Sequence, residues 1–425
     1  MWHFMTKTLK MVIISSLVAT SFLTACDTND GNHQVEPDVS YHITQVVADE
    51  TEITDKLTLE QRIESFMDMR RDNIRGLGLV VFTKDDIILE IEYGYADTTA
   101  GLAVDADTVF PWASVTKLLV YVSAMQLYEQ GKLDFHADIF TYIPQEYFPN
   151  IIYPITMFDL MHHQAGFSDH LGSFFYMSLS TARAGEADVP TLEDSLKSVS
   201  IPEIVAQDSQ PGERVLYSNY GIALAGYVIQ QIAGIPFYEY VHTNIFTPLD
   251  MNHTALRPDL SDNEWVQEQR GKIKAYDPWG LIFSQRQYIF HYPSGATVGT
   301  ISDMIKFARA LLPDEDGKSI LFENTETLSL LHPSLEDITN AHSDERFEGM
   351  SAFFNGFLVF PDMVYESPSS RIIGHTGGVQ GFTSFLFVDI DSGIGMIMAE
   401  NTGHGLGTAP GFSRFFTHEL VSYVN

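Results

Sequence analysis

Apolar and polar residues follow two different periods along this chain, and the period changes more than once. Residues 76–97 (GLGLVVFTKDDIILEIEYGYAD) place two apolar-rich stretches around a turn at Asp85 and Asp86, which predicts a β-hairpin. A later segment that reaches to about Gln130 is apolar on most sides and is followed by Gly131. This second pattern predicts a buried helix that ends at the glycine.

The rest of the chain shows helical patterns first and strand patterns afterwards. A helix is expected near Thr58, and residues 135–295 contain further helical patterns such as ITMFDLMHH and YGIALAGYVIQQIAG. Strand character returns in SAFFNGFLVF, SSRIIGH, GFTSFLFVDID and GIGMIMAEN, before a last amphipathic helix at 413–424. This order predicts an α/β (α+β) fold. One antiparallel sheet is built from both ends of the chain and flanked by helices, with a mainly helical subdomain inserted at about 135–295.

The first 26 residues have the order of a secretory signal. Lys7 and Lys10 precede the apolar run MVIISSLVATSFL, which is short for a membrane span, and the residues Leu-Thr-Ala-Cys end at Cys26. These four residues resemble the lipobox of bacterial lipoproteins, which implies cleavage before Cys26 and a lipid anchor on it. The expected location is the outer face of the cell membrane, or the periplasm of a cell with two membranes. The alternative is an ordinary secretory signal that happens to contain a cysteine.

Composition narrows the domain organisation and the possible partners. Lys and Arg number 24 against 56 Asp and Glu, so the formal net charge is −32. This charge argues against nucleic acid or anionic lipid bound through a basic surface. Because Cys26 is the sole cysteine, the folded part has no disulfide and no cysteine-based metal site. We predict a signal peptide at 1–26, a flexible acidic tether at 27–55 and a folded domain of two or more subdomains at 56–425.

The first candidate catalytic residues are Ser114 and Lys117, in the stretch TVFPWASVTKLLV. A serine hydroxyl is a weak nucleophile and needs an unprotonated base within hydrogen-bond reach. Positions i and i+3 of a helix share a face, so the two side chains are expected to meet at the helix start. Burial among apolar residues disfavours the charged form of a lysine, which makes the neutral amine accessible. The pattern alone is weak, because S-x-x-K occurs by chance in a chain of this length.

Two further segments carry polar groups beside turns or glycines. PGERVLYSNYG contains Tyr217 and Asn219, which could relay a proton and bind a substrate amide, respectively. IIGHTGGVQGF contains the run from His375 through Thr376 and Gly377 to Gly378, where glycines let a substrate backbone approach a strand closely. Each motif is weak by itself, and His375 could equally be a structural histidine in a turn.

Taken together, the three motifs and their order resemble the serine β-lactamase/penicillin-binding-protein superfamily. The resemblance is to the branch of class C β-lactamases, DD-peptidases of the HTG type and related esterases, and it covers roughly residues 58–424. It extends to PGERVLYSNYGIALAGYVIQQIAG, SGATVGTISDMIKFARALL and GHTGGVQGFTSFLFVDIDSGIGMIMAEN. The folded domain at 56–425 is therefore expected to be a serine hydrolase related to β-lactamases.

The resemblance implies a role for each motif residue. Ser114 is the expected nucleophile, Lys117 its general base and Tyr217 the group that exchanges protons with Lys117 and the leaving group. The expected substrate-binding residues are Asn219, His375, Thr376 and Gly377. The backbone N–H groups of Ser114 and Gly378 are the expected oxyanion hole, with no metal and no cofactor.

Two departures from the family pattern bear on the substrate. Class C β-lactamases usually carry lysine where this chain has His375, and no K-[ST]-G occurs anywhere in the sequence. A histidine is a less reliable cation for a substrate carboxylate near neutral pH. In LMHHQAGF, His162 and His163 are interpreted as structural residues, since no partner with metal-ligand spacing accompanies them.

Several functions stay open at this stage. We rank a peptidase or amidase on D-amino-acid peptides first, a carboxylesterase second and a true β-lactamase third, so the partner is a small peptide, ester or β-lactam. An α/β-hydrolase is discounted because no G-x-S-x-G elbow is present. A non-catalytic wall-binding or sensor protein of the same fold is the remaining alternative. The protein is expected to be a monomer that contacts the membrane through a lipid on Cys26.

Overall fold

The structure is a computed structural model. It describes residues 73–168, 179–183, 188–283, 286–332, 352–354, 357–359 and 371–403, with the single positions 61, 65, 67 and 176. The chain divides into two compact units, Met1–Asp38 and Val39–Asn425, and every described residue belongs to the second. Cys26, Thr58 and the helix predicted at 413–424 lie outside the described residues.

The strands, in chain order, are β1 Gly76–Phe82, β2 Ile87–Asp97, β3 Leu102–Ala103, β4 Val109–Pro111, β5 Phe167–Ser168, β6 Thr181–Arg183, β7 Ala206–Gln207, β8 Thr254–Ala255, β9 Ala275–Tyr276, β10 Ile282–Phe283, β11 Gln287–Ile289, β12 Val298–Thr300, β13 Ala352–Phe354, β14 Phe357–Val359, β15 Ile372–Val379, β16 Phe382–Asp389 and β17 Gly395–Glu400. The helices are α1 Lys117–Glu129, α2 Met157–Met161, α3 Leu192–Val199, α4 Asn219–Ala233, α5 Phe237–Val241, α6 Glu264–Arg270, α7 Ile301–Ala310 and α8 Thr325–Leu330.

The central sheet joins both ends of the described chain. Its order is β13-β14-β15-β16-β17-β1-β2-β3, and β1 pairs antiparallel with β17 so that Leu79 faces Met398. The predicted fold class is therefore confirmed, as is the hairpin of β1 and β2. Within the segment SAFFNGFLVF, expected to have strand character, the described residues form two short strands, β13 and β14, that pair antiparallel with each other.

Both faces of the sheet are buried. Side chains alternate across each strand, so β1 sends Val80 to a large core that includes α1, and Leu79 and Val81 to a smaller core on the other face. The strands β16 and β17 are buried at every position. This double burial explains why these segments read as nearly continuous apolar runs and not as a clean alternation.

Helix α1 runs through the large core and is the reason that Lys117 is buried. Eleven of its 13 residues are buried, from Lys117 to Leu127. It packs against α4, whose first residue is Asn219. The polar side chains of Lys117 and Asn219, at the starts of the two helices, therefore lie close together. Helix α4 ends at Gly234, which adopts the left-handed conformation with a φ of 72°, as its glycine predicts.

A helix that crosses a membrane has to be both long enough and apolar enough to span the hydrocarbon core. No single helix in the described ranges meets both criteria, whereas the bent pair Asn219–Ala233 and Phe237–Phe246 meets them jointly, with 75° between its halves.

Candidate active site

Ser114 lies in a short 3₁₀ turn, Ala113–Thr116, that leads directly into α1. The sequence predicted Ser114 on the same helix as Lys117. The structure instead places it one tight turn earlier, where side chains at i and i+3 are eclipsed. The Ser114 Oγ consequently lies 3.1 Å from the Lys117 Nζ.

Both ends of this turn are held by hydrogen bonds to other parts of the fold. The backbone N–H of Trp112 donates to the carbonyl of Thr297 at 2.8 Å, and its indole N–H donates to the carbonyl of Gly299 at 3.1 Å. The hydroxyl of Thr116 accepts from the N–H of Thr297 at 3.1 Å, and Ser384 Oγ donates to the carbonyl of Trp112 at 2.7 Å. These bonds fix the position of Ser114 relative to β12 and β16.

The residue before Ser114 has an unusual backbone conformation. Ala113 has a φ of 47°, in the left-handed region that a residue with a β-carbon occupies at a cost of about 1–2 kcal/mol. A β-carbon placed on Gly377 of β15 would lie 3.2 Å from the Ala113 Cβ and would overlap the Trp112 carbonyl and the Ser384 hydroxyl. Glycine at 377 thus lets β15 pass directly beside the turn that carries Ser114.

Lys117 has no exposed surface and is surrounded by oxygen atoms. Its Nζ lies 2.8 Å from Asn219 Oδ1 and 2.6 Å from the backbone carbonyl oxygen of Ser294, in addition to its contact with Ser114. The same nitrogen lies 4.9 Å from the centroid of the Tyr217 ring. Side chains and a carbonyl from three separate segments therefore meet at one amine.

Tyr217 and Asn219 lie on either side of the residue that caps α4. Ser218 is this N-cap, and its hydroxyl accepts from the N–H of Gly221 at 2.8 Å. Asn219 follows as the first residue of the helix, and Tyr217 is half-buried. The N–H of Ser218 donates to His163 Nδ1 at 3.1 Å, and the rings of His163 and Tyr217 stack with centroids 4.5 Å apart.

His163 is held by its own backbone as well. Its φ is 53°, and its carbonyl accepts from the N–H of Leu216 at 2.7 Å. Burial and then the charge of Lys117 hold the pKa of His163 well below its usual range. A neutral imidazole with an unprotonated Nδ1 is the form that can accept the bond from Ser218.

The segment of β15 beside Ser114 alternates between buried and more exposed residues. His375 and Gly377 are buried, whereas Thr376 is half-buried and Gly378 is exposed, with no atom of a described residue within 4 Å of where its β-carbon would be. His375 Nδ1 donates to the carbonyl of Thr376 at 2.5 Å, and the His375 ring lies 6.2 Å from that of Tyr217. Burial, followed by repulsion from Lys117, lowers the pKa of His375 to about 3, so this histidine is neutral near pH 7.

The structure thus brings together Ser114, Lys117, Tyr217 and Asn219, with the edge of β15 that carries His375 to Gly378. Two contributors were not identified as site residues from the sequence. The carbonyl of Ser294 contacts Lys117 across 177 positions of sequence, and a backbone carbonyl leaves no trace in a sequence pattern. His163 was interpreted as structural, and its place in LMHHQAGF gave no sign that it contacts Tyr217.

His162 has different contacts from its neighbour. Its Nδ1 donates to the carbonyl of Phe158 at 2.8 Å, and the two rings stack 3.9 Å apart. In the described part of the chain, no group of three or more His, Cys, Asp or Glu side chains is placed to hold a metal ion. The described site is therefore a serine, an amine, a phenol and an amide arranged around one position, which is a chemistry of nucleophilic attack and proton transfer.

Comparison with known proteins identifies relatives. A family model described as Beta-lactamase matches residues 59–411 of this chain. Penicillin-binding protein 4* of Bacillus subtilis (strain 168) is 24% identical over 319 residues, which are 72% of this chain and 63% of that relative. The chain therefore spans less than two thirds of the length of this relative.

Solved structures with the same fold were also found. D-amino acid amidase from Ochrobactrum anthropi SV3, in complex with L-phenylalanine, superposes with a TM-score of 0.65 at 21% identity, covering 86% of this chain and 100% of the amidase. An octameric penicillin-binding protein homologue from Pyrococcus abyssi also gives a TM-score of 0.65 at 21% identity, covering 86% of this chain and 77% of that one. At this level of identity the similarity establishes the fold.

Proposed function

We propose that this chain, which belongs to the Beta-lactamase family, is a serine hydrolase that cleaves D-amino-acid peptides through an acyl-enzyme on Ser114. The observation that carries the proposal is the 3.1 Å contact between Ser114 Oγ and the Nζ of the fully buried Lys117. A hydroxyl so close to a desolvated amine can transfer its proton as it attacks a carbonyl carbon.

In its neutral form the amine of Lys117 has two N–H groups and one lone pair for the three oxygen atoms around it. The amide oxygen of Asn219 and the carbonyl of Ser294 can only accept, so each takes one N–H of the amine. The nitrogen lone pair is then available to Ser114, whose hydroxyl can donate. This arrangement supports Lys117 as the general base.

The remaining roles follow from the positions of the other groups. As the tetrahedral intermediate forms, its oxyanion is expected to accept hydrogen bonds from the N–H groups of Ser114 and Gly378, and the open space beside Gly378 leaves room for the substrate. Tyr217, next to Lys117, passes the proton to the leaving group. Water then attacks the acyl-enzyme with the same groups acting in reverse.

The substrate ranking rests on His375 and on the relatives. Because His375 is buried and neutral, position 375 does not provide the fixed cation that class C β-lactamases usually have. A true β-lactamase is therefore ranked third. A D-peptide is ranked first, because relatives include a penicillin-binding protein and a D-amino acid amidase, and a simple carboxylic ester is second.

A substrate panel on the full-length chain tests this proposal. Turnover of a D-Ala-D-Ala peptide, a p-nitrophenyl ester and nitrocefin is measured beside Ser114→Ala, and labelling of Ser114 is followed with fluorescent penicillin and a fluorophosphonate. The expected result is Ser114-dependent release of D-Ala with the highest kcat/KM of the three. Preference for the ester would replace the peptidase with the carboxylesterase, and absence of labelling by both probes would support a non-catalytic binding protein.

We also propose that the chain is anchored by a lipid on Cys26, on the strength of the sequence Leu-Thr-Ala-Cys at its signal. Cells that express the full chain are fed a clickable fatty acid, with Cys26→Ser as the control. Label on the native chain and none on the variant supports the anchor. Equal absence of label from both would leave an ordinary secretory signal.

A further inference from the structure

A cavity of about 230 Å³ opens beside the proposed catalytic residues, and its charge is opposite to that of the protein. Its lining includes Arg270, Lys274 and Arg286, and none of the described residues that line it is an Asp or a Glu. The whole chain has 24 basic residues against 56 acidic ones. Three cations around one cavity are therefore unlike the average surface of this chain.

The two arginines have little to neutralise them among the described residues. Arg270 donates to the carbonyl of Ile273 at 3.2 Å and lies over the ring of Phe382, while Arg286 donates to the carbonyl of Pro258 at 2.7 Å. No ion pair of either guanidinium occurs within the described ranges. The carboxylate that attracts Arg286 is Asp259, which itself pairs with Arg257 at 3.4 Å.

Placing Arg270 and Arg286 near each other is unfavourable, because burial removes water from the guanidinium groups and their charges repel. Burial, and then the charge of Arg286, lowers the pKa of Arg270 to about 9, which still leaves the group charged near pH 7. A guanidinium has five N–H donors, so one carbonyl acceptor leaves most of its capacity for a ligand. A carboxylate held by two such groups is a strong and geometrically specific partner.

Several residues that line the cavity are direct neighbours of residues of the proposed active site. Gly295 and Ala296 line it and directly follow Ser294, whose carbonyl contacts Lys117. A β-carbon on Gly295 would lie 3.7 Å from the carbonyl carbon of Ala113, the residue before Ser114. Val379 and Gln380, which follow Gly378 on the strand beside Ser114, line the cavity as well.

The direction of β15 decides which part of a substrate would reach the cavity. His375 lies near Tyr217, and Val379, four residues further along the strand, lies at the cavity, a separation of about 13 Å at the usual rise of a strand. If Tyr217 protonates the leaving group, the leaving group lies toward His375. The acyl portion of the substrate then extends past Gly378 toward Arg270 and Arg286.

We propose that this cavity is a subsite for a carboxylate carried by the acyl portion of the substrate, held by Arg270 and Arg286. The inference rests on the proposed roles of Ser114 and Tyr217 and adds a substrate class to them: acyl groups that end in an acid. A substrate carboxylate would supply the ion pair that neither arginine has among the described residues.

Matched ester pairs test the subsite on the full-length chain. Mono-p-nitrophenyl esters of glutaric, adipic and suberic acid are each compared with the same molecule methylated at its distal carboxyl. The free acid is expected to have a kcat/KM about tenfold higher than its methyl ester at one chain length, the gain typical of a charge-assisted hydrogen bond. In Arg270→Gln and Arg286→Gln this ratio should fall towards one.

Arg309→Gln is the matched control, because Arg309 also donates to one backbone carbonyl, that of Thr83, and lies over a ring, that of Phe82, away from the cavity. It should keep the ratio of the native chain. A ratio near one for the native chain at all three lengths overturns the subsite and leaves hydrolysis at Ser114 intact. An arginine-dependent preference for acyl-D-Ala-D-Ala over its C-terminal amide would overturn the assignment to the acyl side.

A binding measurement separates failure of the subsite from failure of the proposed function. Glutaric acid mono-anilide is titrated calorimetrically into Ser114→Ala alone and into Ser114→Ala combined with Arg270→Gln or with Arg286→Gln. If no ester shows Ser114-dependent turnover, arginine-dependent binding of this probe still supports the anion subsite. Absence of binding, or binding that Arg270→Gln and Arg286→Gln leave unchanged, overturns it.

Discussion

Gly377 lies so close to Trp112 that a β-carbon on the glycine would overlap the tryptophan's carbonyl oxygen. That oxygen also accepts a hydrogen bond from Ser384 at 2.7 Å, so it cannot move without breaking a buried contact. Around the next residue, Gly378, no described atom lies within 4 Å of where a β-carbon would be. Packing among the described residues therefore requires glycine at 377 and not at 378.

Gly377→Ala is expected to destabilise the protein by about 1–3 kcal/mol, the usual cost of overpacking, and to slow labelling of Ser114 by a fluorophosphonate. Gly378→Ala is the matched control and should change the free energy of unfolding by less than about 0.5 kcal/mol. Urea denaturation and labelling rates measure both. Native stability in Gly377→Ala would mean that the turn before Ser114 can shift away from β15.

Asn219 offers a test of the neutral amine, because its side-chain oxygen lies 2.8 Å from Lys117 Nζ. Asn219→Asp puts a negative charge there and favours the protonated amine, which cannot accept the proton of Ser114. The acidic limb of the kcat/KM profile should move upward by about one to three pH units. Asn219→Ala, which adds no charge, should lower the rate without this displacement, and an unshifted limb in Asn219→Asp would contradict Lys117 as the base.

His163 is expected to act as a positioning residue for Tyr217. His163→Phe keeps a ring but leaves the buried N–H of Ser218 without its acceptor, at a cost of about 1–3 kcal/mol. It also puts a bulky residue at a φ of 53°. His163→Asn keeps an acceptor and tolerates that conformation, so it should retain more stability and lose the stacking on Tyr217.

The kinetic readout distinguishes positioning from a merely structural role. If His163 orients Tyr217, both variants lower kcat by tenfold or more while KM changes little, since the proton relay acts in the transition state (~10²–10⁴-fold for a lost proton relay). His162→Asn is the control, because His162 stacks on Phe158. If His163→Asn raises KM by as large a factor as it lowers kcat, the residue would be assigned to substrate binding or folding.

The sheet could be predicted from the sequence because its strands have local signatures. Segments such as β16 and β17 are short apolar runs bounded by turn residues, and Ser114 and Lys117 are three positions apart, so their meeting needs nothing beyond one turn of chain. The contacts that complete the site are of another kind. Ser294 contacts Lys117 through its backbone carbonyl. Every residue has such a carbonyl, so the residue type at position 294 does not predict this contact.

The cavity lined by Arg270, Lys274 and Arg286 could not be predicted from the sequence either. Arg270 ends a helix of seven residues and Arg286 precedes a short strand, and neither lies in a motif. Their proximity to the catalytic residues depends on the path of residues 258–296 across the fold. The net charge of −32 argued against a positively charged binding site. A net charge is a sum over the whole chain, however, and it does not show where the few cationic side chains lie in the fold.

The pH dependence of stability tests the buried state of His375. Burial, then repulsion from Lys117, lowers its pKa to about 3, whereas an unfolded histidine has a pKa of about 6.5. Between these values the unfolded chain binds more protons, so the stability that neutral His375 contributes is complete above pH 6.5. It is lost as the pH falls toward 3, at about 1.4 kcal/mol per pH unit.

His375→Gln removes that titration, and the free energy of unfolding from urea denaturation between pH 7.5 and 5 should fall less steeply than in the native chain, by about one proton. The remaining slope comes from other groups, including His163, whose pKa is held well below its usual range, and His291, whose pKa burial lowers to about 4. Ile320→Gln, at an exposed position without a titratable group, should keep the native slope. If His375→Gln keeps it too, the pKa of His375 is not lowered in the folded protein, and a cation at position 375 below about pH 6.5 would restore the β-lactamase to a higher place among the candidate activities.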